Sequence, residues 1–252
     1  CRHGIGYSRF TSSKNGVKAS VLSFVPLNDN CEISQLTLTN GSSEDKKLSV
    51  FSYVEWCLWN ADDDMKNFQR NLSTGEVEVQ DSTIYHKTEY RERRNHYAIY
   101  SVNTKIDGFD TSRDAFLGAY RGADSPEAVE NGKCTNSMAS GWSPIASHQI
   151  NIDLAAGETK TFIFVLGYIE NPEDEKWESY GVINKTRAKE MLAKYQTDAQ
   201  VEDAFAALQA YWKQLLARYT VASADDKVNR MVNTWNQYQC MVTFNMSRSA
   251  SY

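Results

Sequence analysis

Residues 58–71 read LWNADDDMKNFQRN and crowd reactive side chains into one short stretch. Asp62, Asp63 and Asp64 are consecutive, Asn60, Asn67, Gln69 and Arg70 surround them, and Trp59 and Phe68 are interleaved. Such residues suit three roles: carboxylate coordination of a cation, recognition of sugar hydroxyls, or solvation of a turn. A calcium loop of the helix–loop–helix type needs glycine at its sixth position and glutamate at its twelfth. Counted from Asp62 those places hold Asn67 and Ser73, and counted from Asp64 they hold Gln69 and Gly75, so neither register fits. The sugar reading suits the residue types better. Each hydroxyl both donates and accepts, so amides, carboxylates and a guanidinium fork can each grip an adjacent pair. Trp59 and Phe68 would cover the apolar face of a ring. The solvated turn stays open beside it.

The elements that must hold this stretch read as strands. VKASVLSFVP (17–26), EISQLTLTN (32–40) and KKLSVFSYVEWCLWN (46–60) alternate apolar and polar residues. TGEVEVQ (74–80), STIYHKTEY (82–90), HYAIYSVN (96–103), SHQINIDL (147–154) and KTFIFVLGYI (160–169) continue the pattern. Asn15-Gly16, Asn40-Gly41, Asp107-Gly108, Asn131-Gly132 and Ala156-Gly157 punctuate it as turns. Many strands without intervening helices predict a large antiparallel β-sandwich over 1–172. After NPEDEKW the period becomes helical. TRAKEMLAKYQ and DAQVEDAFAALQAYWKQLLARY form a helical linker over 173–222, with Val201, Phe205, Leu208, Trp212, Leu215 and Tyr219 on one stripe. Ser223 and Asp226 read as a capping box that opens a third helix over 223–252, with Val228, Met231, Val232, Trp235 and Tyr238 facing inward.

Composition narrows the function classes. The net charge of −5 disfavours a nucleic-acid binder, and the basic run YRERRNH alternates with Glu92 as a solvated strand face does. The 5 cysteines are odd in number and scattered, with no CxxC pair, which suits a reducing cytoplasm. No apolar run reaches the length of a membrane span and no signal peptide opens the chain. GxSxG, HExxH and P-loop motifs are missing; His86, His96 and His148 read as hydrogen-bonded strand residues, and His3 in RHG as either that or a ligand or base. Both termini read as cuts through a longer protein. CRHGIGYSRF resembles the inside of a strand, and FNMSRSASY stops without a cap.

CRHGIGYSRF, FVPLNDNCEISQLTLTN, WNADDDMKNFQRN, YHKTEYRERRNHY and WNQYQCMVTFNMSRSASY together resemble the inverting glycoside phosphorylases of glycoside hydrolase family 94, in particular those acting on cellobiose. The resemblance runs from end to end and keeps the order of the segments. It implies a β-sandwich, a helical linker and the first helix of an (α/α)6 catalytic barrel. It also implies reversible phosphorolysis of cellobiose to α-D-glucose 1-phosphate and D-glucose. In that chemistry one carboxylic acid protonates the leaving oxygen and phosphate attacks from the opposite face. The family's catalytic aspartate falls beyond Tyr252, so this chain by itself is expected to be inactive. Arg248 matches the family's phosphate-binding arginine, Arg70 matches an arginine at the leaving-glucose site, and Asn60 and Asn67 fall at that site's entrance. The resemblance implies no cofactor besides phosphate as co-substrate. It implies a homodimer in which the 58–71 loop reaches the neighbouring active site. A cellodextrin or chitobiose phosphorylase, or a non-catalytic carbohydrate-binding sandwich, are the alternatives.

Overall fold

The computed structural model describes residues 1–56, 76–87, 95–139 and 144–247. At the N-terminus β1 (Arg2–Gly4) and β2 (Tyr7–Lys14) form a hairpin, where the sequence predicts a single strand. Gly6, at φ 78°, makes the reversal. β3 (Val17–Phe24) follows through Asn15-Gly16, whose φ values of 51° and 79° suit the turn that matches strand twist. β4 (Cys31–Asn40), β5 (Lys46–Phe51) and β6 (Val54–Glu55) come next, then β7 (Glu76–Gln80), β8 (Thr83–Lys87) and β9 (His96–Val102). β10 (Gly108–Ser112) begins at a glycine that the sequence marks as a turn.

Two short helices, α1 (Arg113–Leu117) and α2 (Glu127–Glu130), then interrupt the strands. This corrects the expectation of an uninterrupted run. Neither helix has enough turns to show a 3.6-residue period, and each is held by burial of Phe116, Leu117 and Ala128 against Ile145. β11 (Pro144–Leu154) and β12 (Thr159–Glu170) complete the sandwich, and β13 (Trp177–Ser179) with β14 (Val182–Ile183) forms a small ribbon.

The large sheet has the order β1-β2-β3-β4-β12-β9-β8-β7, and the smaller has β10-β11-β5 with β6 also on β11. The pairings within both are antiparallel. The large antiparallel sandwich followed by helices is thus the observed architecture. Alternation sorts the side chains. Ala98, Tyr100, Phe162 and Phe164 meet the smaller sheet with Ala146, Ile150 and Leu154. Tyr97, Ile99, Ile163 and Val165 face the other way. They meet α3 (Thr186–Leu192) and α4 (Asp198–Leu216) through Ala188, Met191, Leu192, Val201 and Leu208. Each such large side chain contributes about 1.5–3 kcal/mol on burial, so these helices are an integral layer of the core. Hence β9 is buried at every position.

α4 starts with a capping box from Thr197 and Gln200, and its stripe is only partly used. Val201 and Leu208 are buried, Phe205 and Trp212 pack at the margin, and Tyr219 is exposed beyond the helix end. α5 (Asp226–Arg230) passes through a π-helical turn, Met231–Asn236, into α6 (Gln237–Ser247). Its cap is Asp225, whose carboxylate accepts from the backbone N–H of Lys227 and Val228. The predicted Ser223 cap instead exchanges hydrogen bonds with Asp225 and Asn229. Val228, Met231 and Trp235, predicted to face inward, are exposed, because no described element lies against that side. Among the described residues no helix is long and apolar enough to cross a membrane.

Candidate functional site

Strand register brings the roots of residues 58–71 to one end of the sandwich. In the smaller sheet Glu55 at the end of β6 pairs with Ile145, near the start of β11. In the large sheet Glu76 opening β7 pairs with Lys87 closing β8, Lys87 pairs with Tyr97, and His96 opening β9 pairs with Glu170 closing β12. Trp56 bridges the sheets: its indole lies on the His86 imidazole with ring centres 5.4 Å apart and planes within 10°. One stack therefore joins the residue before segment 57–75 to a residue just before segment 88–94. The opposite end is closed by Asn40, whose amide donates to the carbonyls of Glu44, Leu154 and Ala155.

Arg70, Asn60 and Asn67 lie in segment 57–75, outside the described residues, as do Asp62, Asp63 and Asp64. Arg248 also lies outside them, one residue past the end of α6. The described residues supply the anchors of these positions. Around the first anchor, Arg113 Nε donates to Glu55 at 3.0 Å and the Tyr53 hydroxyl donates to the same carboxylate at 2.6 Å. Burial and that carboxylate push the Tyr53 hydroxyl well above the usual tyrosine range. At the large-sheet edge Lys185 Nζ meets Glu78 at 2.6 Å, with only 4% of the lysine side chain exposed. Lys185 also lies 5.3 Å from the Tyr85 ring centre and donates to the Ile183 carbonyl. A buried pair of this kind fixes geometry more than it adds stability.

Around the second anchor the π turn has a visible partner. Asn233 closes an amide pair with the Val221 backbone at 2.7 and 2.8 Å. Gln237 donates to the Tyr219 carbonyl at 2.9 Å. An extra residue in a helical turn re-aims the side chains after it, and such bulges recur at functional sites. Here the π turn shifts the facing of the α6 side chains that follow it.

The four histidines divide unequally. His3 bonds Ser8 at 2.8 Å, His96 bonds the Tyr168 hydroxyl at 2.9 Å, and His148 bonds Ser52 at 3.1 Å. His86 corrects the expectation. It lies in a strand, yet both ring nitrogens are buried without a hydrogen-bond partner among the described residues, as is Trp56 Nε1. Burial pushes the imidazole pKa of His86 and of His148 down to about 3. Both are neutral near neutral pH, so neither is tuned to move a proton there. Burial likewise pushes the Cys31 and Cys134 thiols up to about 12, which leaves little thiolate for nucleophilic attack. Among the described residues no cluster of three or more His, Cys, Asp or Glu could hold a metal ion. The sequence carries no signal for the Trp56–His86 contact, since Trp56 follows β6, His86 lies in β8 and the two are far apart in the chain.

This end of the sandwich therefore gathers the strand ends that flank segments 57–75 and 88–94. Residues 1–198 match the family model described as "Glycosyl hydrolase 94, supersandwich domain". Residues 211–252 match "Glycosyl hydrolase 94 superfamily, catalytic domain". An N,N'-diacetylchitobiose phosphorylase of Vibrio proteolyticus is 30% identical over 252 residues, covering 100% of this chain and 30% of that protein. A solabiose phosphorylase of Paenibacillus borealis is 27% identical over 99% of the chain and 31% of its own length. A cyclic beta-(1,2)-glucan synthase of Rhizobium meliloti is 29% identical over 100% of the chain and 8% of its own length. The chain thus spans about a third of the length of these phosphorylases.

Proposed function

From the premise that this chain belongs to glycoside hydrolase family 94, we propose that it is the sandwich and barrel-entry part of an inverting disaccharide phosphorylase acting on cellobiose. The observation that supports this reading is the ordered match of both family domains along one continuous chain. In the full-length polypeptide a carboxylic acid from the barrel protonates the glycosidic oxygen while phosphate attacks the anomeric carbon from the other face. The products are α-D-glucose 1-phosphate and glucose. Phosphate replaces activated water, so no second carboxylate is required.

Arg248 follows α6 and holds phosphate by a charge-assisted fork, offsetting the charge at the attacking oxygen. Arg70, with Asn60 and Asn67, walls the leaving-glucose site of a neighbouring subunit in a homodimer. On this reading the opening stretch is a sugar-binding loop held out by the Trp56–His86 end of the sandwich, and the enzyme works in the cytoplasm. No cofactor takes part.

The test is glucose 1-phosphate formation by the full-length protein, with cellobiose, N,N'-diacetylchitobiose and cellotriose offered in turn. Phosphate-dependent product from cellobiose is expected. Product from the acetylated sugar alone would move the assignment toward the Vibrio relative's named activity. No phosphate-dependent product from any of the three would leave a non-catalytic carbohydrate-binding role.

A further inference from the structure

At the same end of the large sheet, a groove of about 840 Å³ opens between the β3–β4 turn, the end of β12 and α3. Its size falls within the roughly 300–1,000 Å³ of small-ligand sites. Its wall is amide-rich, with Asn28, Asn30, Asn95 and Asn171 all contributing. Ile169 and Met191 supply apolar surface between them. Arg187 and Lys194 face Asp29, Glu170 and Glu190, so the charge is nearly balanced and slightly acidic. Phosphate or a nucleic-acid backbone would gain little there. A neutral molecule with alternating hydroxyls and C–H faces fits the chemistry, since the exposed amides of Asn28 and Asn30 each offer a donor and an acceptor.

The wall is also pre-organised. Asp29 is held by Lys194 Nζ at 2.8 Å and by the Tyr195 hydroxyl at 2.5 Å, which ties the turn to the end of α3. Asn30 fixes its backbone by accepting from Tyr168 N–H at 2.9 Å. Asn95 donates to the Asn171 carbonyl at 2.7 Å and accepts from its N–H at 2.9 Å. The Tyr168 hydroxyl is held by His96, and Arg187 spends one donor on the Glu170 carbonyl at 3.0 Å. The side-chain amides of Asn28 and Asn30, and the other guanidinium donors of Arg187, make no hydrogen bond to described residues. A rigid wall with unspent donors and acceptors binds with little ordering cost.

We propose that this groove is a second saccharide site, which takes a short neutral oligosaccharide separately from the site of phosphorolysis. The inference does not rest on the catalytic reading, because its readout is binding. The probe is cellotetraose, titrated calorimetrically into the full-length protein and into an Asn30→Ala/Arg187→Ala variant. Both side chains are exposed, so the variant should keep the parent melting temperature. Loss of two polar anchors should weaken one class of cellotetraose binding about tenfold or more, at 1.4 kcal/mol per tenfold. Disaccharide turnover and inorganic-phosphate binding should be unchanged. Cellotetraose binding equal to the parent's would overturn the proposal, and so would loss of phosphate binding alone, which would mark an anion site. Groove-dependent binding in a protein without phosphorolysis would sink the proposed function and leave this site standing.

Discussion

Two buried imidazoles make the folded protein acid-sensitive. The unfolded chain protonates its histidines near pH 6.5, whereas His86 and His148 stay neutral in the fold down to about 3. As pH falls below 6.5 the unfolded state binds protons that the folded state refuses, so stability drops with each step toward pH 3. Each group contributes about 1.4 kcal/mol per pH unit across that window. Unfolding free energies from urea titrations at pH 7 and pH 5 should therefore differ by roughly 2 kcal/mol per histidine. His86→Phe, which keeps a ring on Trp56, should flatten the slope, and an unchanged slope would show that His86 is not responsible. The Lys185–Glu78 pair behaves differently. Glu78→Leu leaves a nearly buried ammonium unpaired and should cost about 3 kcal/mol. Adding Lys185→Met should return much of that loss in urea unfolding. If the double variant is no more stable than Glu78→Leu, the pair is not coupled in this way.

Elements here are held at their junctions. Gly6 turns between β1 and β2 at φ 78°, and an added Cβ would stand 2.7 Å from Trp212 Nε1 on α4. Gly6→Ala therefore meets both backbone strain and a clash. It should destabilise by about 1 kcal/mol or more and increase solvent quenching of the Trp212 fluorescence. Thr197→Ala removes the hydroxyl of the α4 capping box and should cost about 1 kcal/mol in thermal unfolding. Both changes act on the helix layer rather than on the sheets. They thus test whether α4 is an integral part of the core, as Val201 and Leu208 suggest. The strand elements were legible because alternation survives wherever one face meets a core. α1, α2 and β10 were not, because short elements held by tertiary burial carry no period of their own.

At the scale of the whole molecule, the frame and the chemistry separate. The sandwich holds the ends of segment 57–75, and α6 leads to Arg248. On the proposed reading, Arg70→Ala in the full-length protein should raise KM for glucose in the synthetic direction about tenfold and leave KM for glucose 1-phosphate unchanged. On the same reading, Arg248→Ala should lower kcat/KM for phosphate about a hundredfold, with Arg248→Lys recovering part of it. Equal effects on both substrates in the Arg70 variant would count against its place at the acceptor.

Family resemblance singled out Arg70 and Arg248, whereas the residue pattern by itself already carried the sandwich-then-helix order and the amide- and aspartate-rich stretch 58–71. Those depend on residue type and on short-range period, which need no neighbours to be read. It takes the folded chain to lay Trp56 on His86, to pair Lys185 with Glu78, and to bring Asn28 and Arg187 into one groove. Each of these joins residues remote in the chain through strand register and sheet packing, and no local pattern encodes such a meeting. The exposed Val228, Met231 and Trp235 show the same limit from the other side. Their helical stripe is written in the sequence, but what covers a stripe is a property of the neighbours it meets.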